Sequence, residues 1–433
     1  MNKPQETAQK LLDFIDRSPS CFHVIGNIKK ELEEYTELKE NEKWELYPGG
    51  KFYVTRNSSS LIAFRIPALY ERKPGSYLNG FRICAAHSDS PTFRIKPNAE
   101  INVDSKYRVL NVEKYGGMLM STWMDRPLSV AGRVFMDVGG KLEEKLVNID
   151  RDLLIIPSVA IHMNRDANDG FKLDPAKDMR PVFASGGSQD DEAKVIELIA
   201  DDLGVDEESI LGADLCLYNR VKGTFIGAYN EMIASRSLDD LQCVFGLVKG
   251  FAESGDEETS GIPVLCVFDN EEVGSLTKQG ADSTFLRDVL ERIASAIEDD
   301  LSSVLADSFM ISADNAHAVH PNHPEYADPT NRPELNKGIV IKYNANQKYT
   351  TDARSEAVLK KLCKDTDIPV QTYANRSDIA GGSTLGNLSN RHVSVSTVDI
   401  GLPQLAMHSS YETAGTYDTQ YLIELTRCFY GRS

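Results

Sequence analysis

The sequence predicts an α/β fold whose host is interrupted by a separate, mainly β domain. In the host, residues 264–268 form an apolar run typical of a strand buried on both faces, and helical and strand patterns alternate from residue 234 onward. Between about residues 93 and 228 the patterns change to short strands with frequent Gly and Pro and no βαβ alternation. We therefore expect two cores, with a host at 1–92 and 231–433 and an inserted domain at 93–230.

The first part of the host begins with two helical patterns, at residues 6–16 and 24–35. Extended patterns follow at 52–55, 60–66 and 81–86, and the last of these leads directly into the polar run 87–91. Within the inserted domain, one helix is predicted at 190–203, because acidic residues at its beginning favour a helix N-terminus.

The second part of the host alternates regularly between helices and strands. The predicted helices are 237–251, 281–297, 352–364 and a last one after Asp418; the predicted strands are 262–268, 308–313, 338–343, 368–374 and 393–400. Thr350 or Thr351 is expected to cap the helix at 352–364. A Gly-rich loop is expected at 378–386.

The composition indicates a soluble enzyme that attracts cations. The chain of 433 residues has a formal net charge of -18, which disfavours unassisted binding to nucleic acids or anionic membranes. Its first ten residues contain no apolar signal region, and no window approaches the ~18 apolar residues of a spanning helix. The seven cysteines include no C-x-x-C pair, which favours reduced core thiols over disulfides or a Cys-zinc site. We expect a cytoplasmic protein.

Side chains of the types that bind metal ions lie at the ends of several predicted strands and helices. They are His87, Asp89, Asp239, Glu271, Glu272, Asp314 and His408. Each alone has an ordinary explanation, since Asp239 is a good helix cap, His87 a plausible core histidine, and a Glu-Glu pair is usually a solvated turn. Their position favours a shared site, because open parallel sheets bind ligands beyond the carboxyl ends of their strands.

Two imidazoles with three or four carboxylates suit a pair of divalent ions, Zn²⁺ first, with Co²⁺ or Mn²⁺ as alternatives. Two ions about 3.5–4 Å apart need a bridging carboxylate, terminal ligands, and one uncoordinated carboxylate that accepts a proton from the shared water. We expect Asp239 to be the bridge and Glu271 the base.

Seven short runs are spread over nearly the whole chain: AAHSDSP (85–91), SLDDL (237–241), DNEEVGS (269–275), SADNAHAVHPN (312–322), KYNANQKY (342–349), GGSTLG (381–386) and AMHSSYE (406–412). In this order and combination they resemble the aspartyl aminopeptidases, dinuclear zinc exopeptidases that assemble as dodecamers. The resemblance implies a zinc-exopeptidase-like three-layer α/β/α catalytic domain. It also implies that the inserted, mainly β domain builds dimer contacts.

The resemblance further implies a role for each candidate residue. One zinc would be held by His87, Asp239 and Asp314, and the other by Asp239, Glu272 and His408. Glu271 would be the general base, and Asp89 would orient His87. The predicted substrate contacts are Lys342, His162, His317, His320 and Tyr349; the resemblance implies that His162 reaches a neighbouring subunit and that Lys342 meets an acidic side chain.

Some alternatives stay open. The family usually has Leu-Asp-Asn where this chain has Leu-Asp-Asp at 238–240, so Asp240 competes with Asp239, although the motif favours Asp239. His317, His320 and His323 are three apart and allow a third metal. Pro321 and Pro324 exclude the regular helix that would align them, which favours substrate-side or structural roles. Lys342 is equally well explained as an ordinary strand-end lysine.

The expected function is release of one residue at a time from peptide N-termini, with Asp and Glu preferred as the resemblance implies. Two alternatives use the same site as a deacylase or as a broad-specificity aminopeptidase. A third is a non-catalytic, shell-forming assembly protein, which the complete ligand set argues against. The expected partners are peptide substrates and copies of the same chain, as a dodecamer built from dimers, with neither nucleic acid nor membrane.

Overall fold

The computed structural model describes residues 2–70, 72, 78–186, 193–255 and 261–431. Its helices are α1 (Lys3–Asp16), α2 (Cys21–Glu31), α3 (Val195–Leu203), α4 (Leu238–Glu253), α5 (Phe285–Ala296), α6 (Leu301–Ala306), α7 (Ala353–Asp365), α8 (Leu385–Ser389) and α9 (Asp418–Gly431). Its strands are β1 (Thr36–Leu38), β2 (Lys51–Arg56), β3 (Ser60–Arg65), β4 (Phe81–His87), β5 (Thr92–Val103), β6 (Tyr107–Tyr115), β7 (Leu128–Val138), β8 (Lys141–Asn148), β9 (Val182–Ser185), β10 (Ile210–Asn219), β11 (Thr224–Ile226), β12 (Met232–Ser235), β13 (Ile262–Phe268), β14 (Phe309–Ala313), β15 (Ala316–His317), β16 (Ile339–Tyr343), β17 (Val370–Ala374), β18 (Ser396–Gly401), β19 (Pro403–Leu405) and β20 (Glu412–Gly415). None of the helices in these ranges has both the length and the hydropathy that a membrane span requires.

A nine-stranded sheet forms the centre of the host, with the strand order β1-β2-β3-β13-β4-β14-β18-β16-β17. Strands β13, β4, β14 and β18 run parallel to their neighbours in this series, whereas β3 is antiparallel to β13 and β16 is antiparallel to β18. All residues of β13 are buried, which confirms the predicted buried strand at 262–268.

Two apolar cores cover the two faces of this sheet. One core includes α1, α2, α4, α7 and α9, and the other includes α5, α6 and α8. Strand β13 contributes to both, since Leu265 and Val267 face the first core whereas Val264, Cys266 and Phe268 face the second. The predicted three-layer α/β/α arrangement is confirmed.

The predicted helices of the host are present with shifted ends. Helices α1, α5, α7 and α9 overlap the patterns at 6–16, 281–297, 352–364 and after residue 418, while α2 ends at Glu31 instead of residue 35. The expected threonine cap of α7 is wrong. Asp352 is the N-cap, and its carboxylate accepts a hydrogen bond from the backbone N–H of Ser355 at 2.8 Å. Thr350 is unavailable because its N–H and hydroxyl both donate to Asp399.

The second sheet has six strands in the order β8-β7-β10-β5-β6-β9, all of which lie between Thr92 and Asn219. Its core contains Phe93, Val134 and Leu217, together with side chains of α3. The predicted start of that helix at residue 190 lies outside the described residues. We propose that this sheet and α3 form the inserted domain.

The third sheet, in the order β11-β12-β20-β19-β15, connects the segment after the six-stranded sheet to the C-terminal part of the chain. Strand β12 is antiparallel to β20, with Ser235 opposite Glu412. We propose on this basis that the chain returns to the host near residue 220, somewhat before the expected boundary at 230.

Candidate metal centre

Three neighbouring parallel strands end at the same edge of the nine-stranded sheet. Strand β4 ends at His87, which lies opposite Phe268 at the end of β13. Strand β14 runs parallel to β4 on its other side and is followed by Asp314. Because the strands end together, His87, Asp314 and the acidic residues after Phe268 meet at one place.

Two further segments reach this edge. Asp239 and Asp240 stand at the start of α4, where both have non-helical backbone angles and the peptide between them is cis. Both side chains are buried. His408 lies in the turn between β19 and β20. Residues far apart in the sequence thus converge on the strand ends.

The candidate ligands form three overlapping groups, and within each group the ligand atoms lie within 4.8 Å of one another. The groups are His87 with Asp239, Asp240 and Asp314; His87 with Glu271 and Glu272; and Asp239 with Glu272 and His408. The first and third contain the two ligand sets that the resemblance implies. Because Asp240 joins the first group, two aspartates remain candidates at that position.

Asp239 lies between the two histidines. Its Oδ1 is 3.6 Å from Nε2 of His87, and its Oδ2 is 3.4 Å from Nε2 of His408. Oε2 of Glu272 lies 3.3 Å from the same nitrogen of His408. One carboxylate therefore faces two imidazoles with different oxygens, an arrangement suited to a bridging ligand.

A backbone carbonyl holds the far nitrogen of the His87 imidazole. Nδ1–H of His87 donates to the carbonyl oxygen of Asp89 at 3.0 Å, and the Asp89 carboxylate lies 3.3 Å from the same nitrogen. Burial lowers the pKa of His408, but Asp239, Glu412 and the backbone of Gly117 together raise it above its usual value. Because Nδ1 of His87 is engaged by a backbone carbonyl, Nε2 is the nitrogen of that ring that faces the carboxylates and would bind a metal.

Asp89 connects the turn after β13 to the six-stranded sheet. Its two carboxylate oxygens accept hydrogen bonds from the backbone N–H groups of Glu271 and Glu272, each at 3.2 Å. The hydroxyl of Tyr115, the last residue of β6, donates to Asp89 Oδ2 at 2.7 Å and accepts from Asn270 Nδ2 at 2.7 Å. These bonds fix the backbone that carries the adjacent glutamates.

Glu412 connects the other two segments. Its Oε2 accepts from the backbone N–H of Asp239 at 3.0 Å, and its Oε1 accepts from the backbone N–H of His408 at 2.7 Å. The side chain is buried, so these bonds are made in a medium of low polarity. Glu412 thereby sets the relative position of two candidate ligands.

Burial and like charge raise the pKa of several carboxyl groups. Burial raises the pKa of Glu271 to about 8. Burial, with the charge of Asp239, raises the pKa of Glu272 well above its usual range. Asp89 differs, because the neighbouring His87 outweighs the effect of burial and holds the pKa of Asp89 below its usual value. The centre therefore favours protons or cations among its carboxylates.

Three buried carboxylate oxygens of this centre have no hydrogen-bond partner among the described residues: Asp239 Oδ1, Asp240 Oδ1 and Glu272 Oε1. Buried charged oxygens without a partner are costly unless a cation compensates them. Imidazole nitrogen and carboxylate oxygen are donors that zinc and related divalent metals accept. The residues present therefore fit a divalent-metal centre.

Lys342 and Tyr349 border the centre. Nζ of Lys342 lies 3.3 Å from Oδ2 of Asp314 and 5.3 Å from the centroid of the Tyr349 ring. Burial alone would lower the pKa of Lys342, but the nearby carboxylates, Asp314 foremost, raise it above its usual value. Lys342 is thus a buried cation paired with a candidate ligand.

His317 and His320 line a neighbouring cavity of about 330 Å³ that also contains Arg376. The rings of His320 and His323 are 5.4 Å apart, and His323 Nδ1 hydrogen-bonds to Glu325 at 3.0 Å. No potential metal-binding group within the described ranges includes these histidines. The structure therefore places them beside a cavity and gives the third-metal alternative no support.

His162 is placed differently from the other expected substrate contacts. It lies in an exposed turn of the chain segment between β8 and β9. Its neighbours Ile161 and Met163 are also exposed, Met163 to 84%. Among the described residues of a single subunit, no hydrogen bond or ion pair joins His162 to the candidate ligands.

Three residues of the centre are absent from the sequence-based predictions: Tyr115, Gly117 and Glu412. Tyr115 and Gly117 belong to the segment in which the sequence pattern indicates only short strands, so no local signal connects them to the host. Glu412 did offer a signal, because it is the carboxylate that ends the run AMHSSYE containing His408.

Comparisons with known proteins agree with one another. The family model described as aminopeptidase I zinc metalloprotease (M18) matches residues 14–430. The "Probable M18 family aminopeptidase 2" of Clostridium acetobutylicum is 47% identical over 99% of this chain and 100% of its own length. A structure of the Ape4 and Nbr1 complex matches with a TM-score of 0.94 and 35% identity over 100% of this chain and 87% of that one. The S. cerevisiae mApe1 dodecamer matches with a TM-score of 0.86 and 26% identity over 99% and 97% of the two chains. This chain therefore belongs to the M18 aminopeptidases, zinc metalloproteases that release N-terminal residues from peptides.

Proposed function

We propose that the centre binds two divalent ions, most simply zinc, with Co²⁺ or Mn²⁺ as alternatives, and that the enzyme prefers N-terminal Asp and Glu. The observation that carries the two-ion proposal is the position of Asp239, whose two oxygens face His87 and His408 separately. When bound, the ions would supply an acidified water and polarise the scissile carbonyl.

The ligand assignment follows from which imidazoles each carboxylate faces. His87 and Asp314 would complete one site, Glu272 and His408 the other, and Asp239 would serve both. Asp240 is the weaker candidate for the bridge because its Oδ2 lies 4.0 Å from Nε2 of His87 and accepts a hydrogen bond from the backbone N–H of His87 at 3.2 Å, whereas Asp239 faces both imidazoles. We assign Asp240 to bracing the end of β4.

Glu271 is proposed as the general base that takes a proton from water and returns it to the leaving amine. Its backbone is fixed by Asp89, yet within the described part of the chain no hydrogen bond ends on its carboxylate. It adjoins His87 and Glu272 without belonging to the two groups that share Asp239. A carboxylate held in place but not consumed by partners suits proton transfer.

Lys342 is proposed to meet the acidic side chain of the substrate. In the metal-free chain its ammonium pairs with Asp314 at 3.3 Å. Once Asp314 shares its charge with a metal, Lys342 has a weaker partner and attracts a carboxylate more strongly. His317 and His320 in the adjacent cavity and Tyr349 beneath Lys342 are proposed to line the same substrate region.

We also propose that the enzyme assembles through the inserted domain into a dodecamer built from dimers; the similar S. cerevisiae mApe1 is a dodecamer. The exposed apolar side chains of Val159, Ile161, Met163 and Phe171 around His162 support this. In such an assembly His162 would reach a neighbouring centre. Light scattering should report a molar mass far above that of one chain, and Met163→Glu should lower it.

The seven free cysteines support a cytoplasmic location.

The base is tested by comparing Glu271→Gln with Glu272→Gln, using the exposed Glu291→Gln on α5 as control. Glu271→Gln should keep bound metal and lose at least about 100-fold in kcat, as expected for general-base catalysis. Glu272→Gln should lose both activity and bound metal. Turnover near that of the control by the metal-loaded Glu271→Gln protein would exclude the assigned base.

Substrate preference is tested with peptides that begin with Asp, Glu, Leu or Lys. Asp and Glu peptides should give the highest kcat/KM, and Lys342→Gln should lower the values for acidic peptides more than for the Leu peptide. A higher kcat/KM for Leu than for Asp would favour broad specificity. Cleavage of N-acetylated peptides at the same rate would favour the deacylase alternative.

A further inference from the structure

Asn315 is a buried polar residue that directly follows the proposed ligand Asp314 and that the proposed chemistry does not use. It lies between β14 and β15, and its exposed fraction is 2%. A buried amide side chain usually forms hydrogen bonds through both its nitrogen and its oxygen. The partners of Asn315 therefore indicate which parts of the chain it holds together.

The amide nitrogen of Asn315 faces the backbone that leads into Asp239. Its Nδ2 donates to the backbone carbonyl of Leu238 at 3.0 Å, and Leu238 immediately precedes Asp239. Because a carbonyl oxygen only accepts hydrogen bonds, this contact fixes which end of the amide is the nitrogen. The other end, Oδ1, accepts from the thiol of Cys243 at 3.1 Å, further along α4. Asn315 thus holds α4 at two points close to the proposed bridging ligand.

Two glutamine side chains also meet the nitrogen of Asn315. Oε1 of Gln404 in β19 lies 2.7 Å from Nδ2, and Oε1 of Gln242 in α4 lies 3.1 Å from it. Nε2 of Gln242 donates to the hydroxyl of Thr419 at 3.0 Å, so the oxygen of that amide is the end that faces Asn315. Both glutamines are buried, and these contacts are made in a medium of low polarity.

Gln404 connects this group to Glu412, the other buried support of the centre. Nε2 of Gln404 lies 3.5 Å from Oε1 of Glu412. Glu412 in turn accepts from the backbone N–H groups of Asp239 and His408, at 3.0 and 2.7 Å. A continuous chain of polar contacts therefore runs from Asn315 to the segments that carry Asp239 and His408.

We propose that Asn315 is a positioning residue that fixes Asp314, Asp239 and His408 relative to one another without binding a metal itself. It is joined to Asp314 by a peptide bond, to the backbone before Asp239 by its own hydrogen bond, and to the His408 segment through the two side chains just described. Ligands that are held in place bind an ion more tightly, because binding does not have to order them. The inference rests on the metal centre of the proposed function.

The test compares Asn315→Ala with Asn27→Ala in the full-length protein. Asn27 is a matched control, because it is also buried and its Nδ2 donates to the carbonyl of Arg17 at 2.8 Å and to Oγ of Ser18 at 3.0 Å. Both variants lose amide hydrogen bonds, so both should unfold at lower urea concentrations than the parent. Zinc affinity, titrated against a chromophoric chelator, should fall at least about tenfold in Asn315→Ala alone. Equal zinc affinities of the two folded variants would overturn the proposal.

A second measurement reports the arrangement of the ligands and not stability. At saturating Co²⁺, the parent and Asn27→Ala should have the same visible absorption spectrum. The spectrum of Asn315→Ala should differ in band position or intensity, because the absorption of Co²⁺ depends on its coordination geometry. A spectrum of Asn315→Ala identical to that of the parent would also overturn the proposal.

The outcome does not depend on how many ions bind. If the parent binds one ion per chain, the two-ion proposal fails, whereas a selective loss of affinity in Asn315→Ala still supports the positioning role. If Asn315→Ala does not fold, Gln404→Met keeps the contact between Asn315 and Leu238 and removes the connection to Glu412. Gln404→Met should also bind zinc more weakly than Asn27→Ala, and equal affinities would overturn the proposal.

Discussion

Tyr115→Phe, at the end of a strand of the six-stranded sheet, is expected to weaken the proposed metal centre. The change removes one hydroxyl, which donates to Asp89 at 2.7 Å and accepts from Asn270 at 2.7 Å. A hydrogen bond to a charged acceptor contributes about 1.5–3 kcal/mol. Loss of a supporting partner of this kind typically lowers metal affinity about 10- to 100-fold, equivalent to about 1.4–2.8 kcal/mol, so the two ranges agree.

The assay is competitive zinc titration against a chromophoric chelator, with a urea unfolding curve for each protein. Tyr107→Phe is the matched control, because Tyr107 lies on the same strand β6 and is 52% exposed. Tyr115→Phe should bind zinc at least about tenfold more weakly than Tyr107→Phe. Equal zinc affinities would refute the idea that Asp89 and Tyr115 brace the glutamate turn.

Three further predictions concern pH and capping. Burial raises the pKa of Glu271 to about 8, so the folded metal-free chain holds the carboxyl proton of Glu271 more tightly than the unfolded chain does. The melting temperature of the metal-free protein should therefore fall as the pH rises from 4.5 to 8, and it should fall less in Glu271→Gln. Burial lowers the pKa of His23 to about 4, so the unfolded chain takes up that proton first; stability should decline as pH falls from 6.5 to 4, and less so in His23→Gln. Asp352→Ala should lower the free energy of unfolding by about 1 kcal/mol in urea, because α7 loses its N-cap.

Each of these has an outcome that contradicts it. The first is wrong if chelated protein and Glu271→Gln show the same dependence of melting temperature on pH. The second is wrong if His23→Gln and the parent lose stability in parallel below pH 6.5. The third fails if Asp352→Ala unfolds at the same urea concentration as the parent with an unchanged slope.

The buried strands and the residues at their ends could be predicted because both are local in the sequence. The run at 262–268 has no polar residue to place on a solvent face, so it was expected to be a strand in the interior of the sheet, covered on both faces. The acidic residues after it were therefore expected at the end of that strand. His87 and Asp314 follow the same logic, since each comes at the end of an apolar run that pairs in parallel. The convergence of these ends is a property of parallel sheets and not of any one motif.

The supporting bonds could not be predicted, because they join segments whose separation the sequence does not encode. Tyr115 ends a strand whose pattern is ordinary, and only the folded position of the insert brings its hydroxyl to Asp89. The cap of α7 failed for a related reason. Thr350, Thr351 and Asp352 are all good caps, and the choice depends on Asp399, which binds Thr350 from a distant strand.

The position of the six-stranded sheet in the chain has a mechanical consequence. Its first strand follows the segment that carries His87 and Asp89, and its last strand precedes β11, β12 and the segment that carries Asp239. Through Tyr115 it supports the turn of the two glutamates. A shift of this sheet against the host would therefore disturb both proposed ligand sets together, because Asp89 acts on His87 in one set and on the Glu272 backbone in the other. Substitutions that loosen the contact between sheet and host should consequently lower the affinity for both metal ions, whereas substitution of a terminal ligand should affect mainly one.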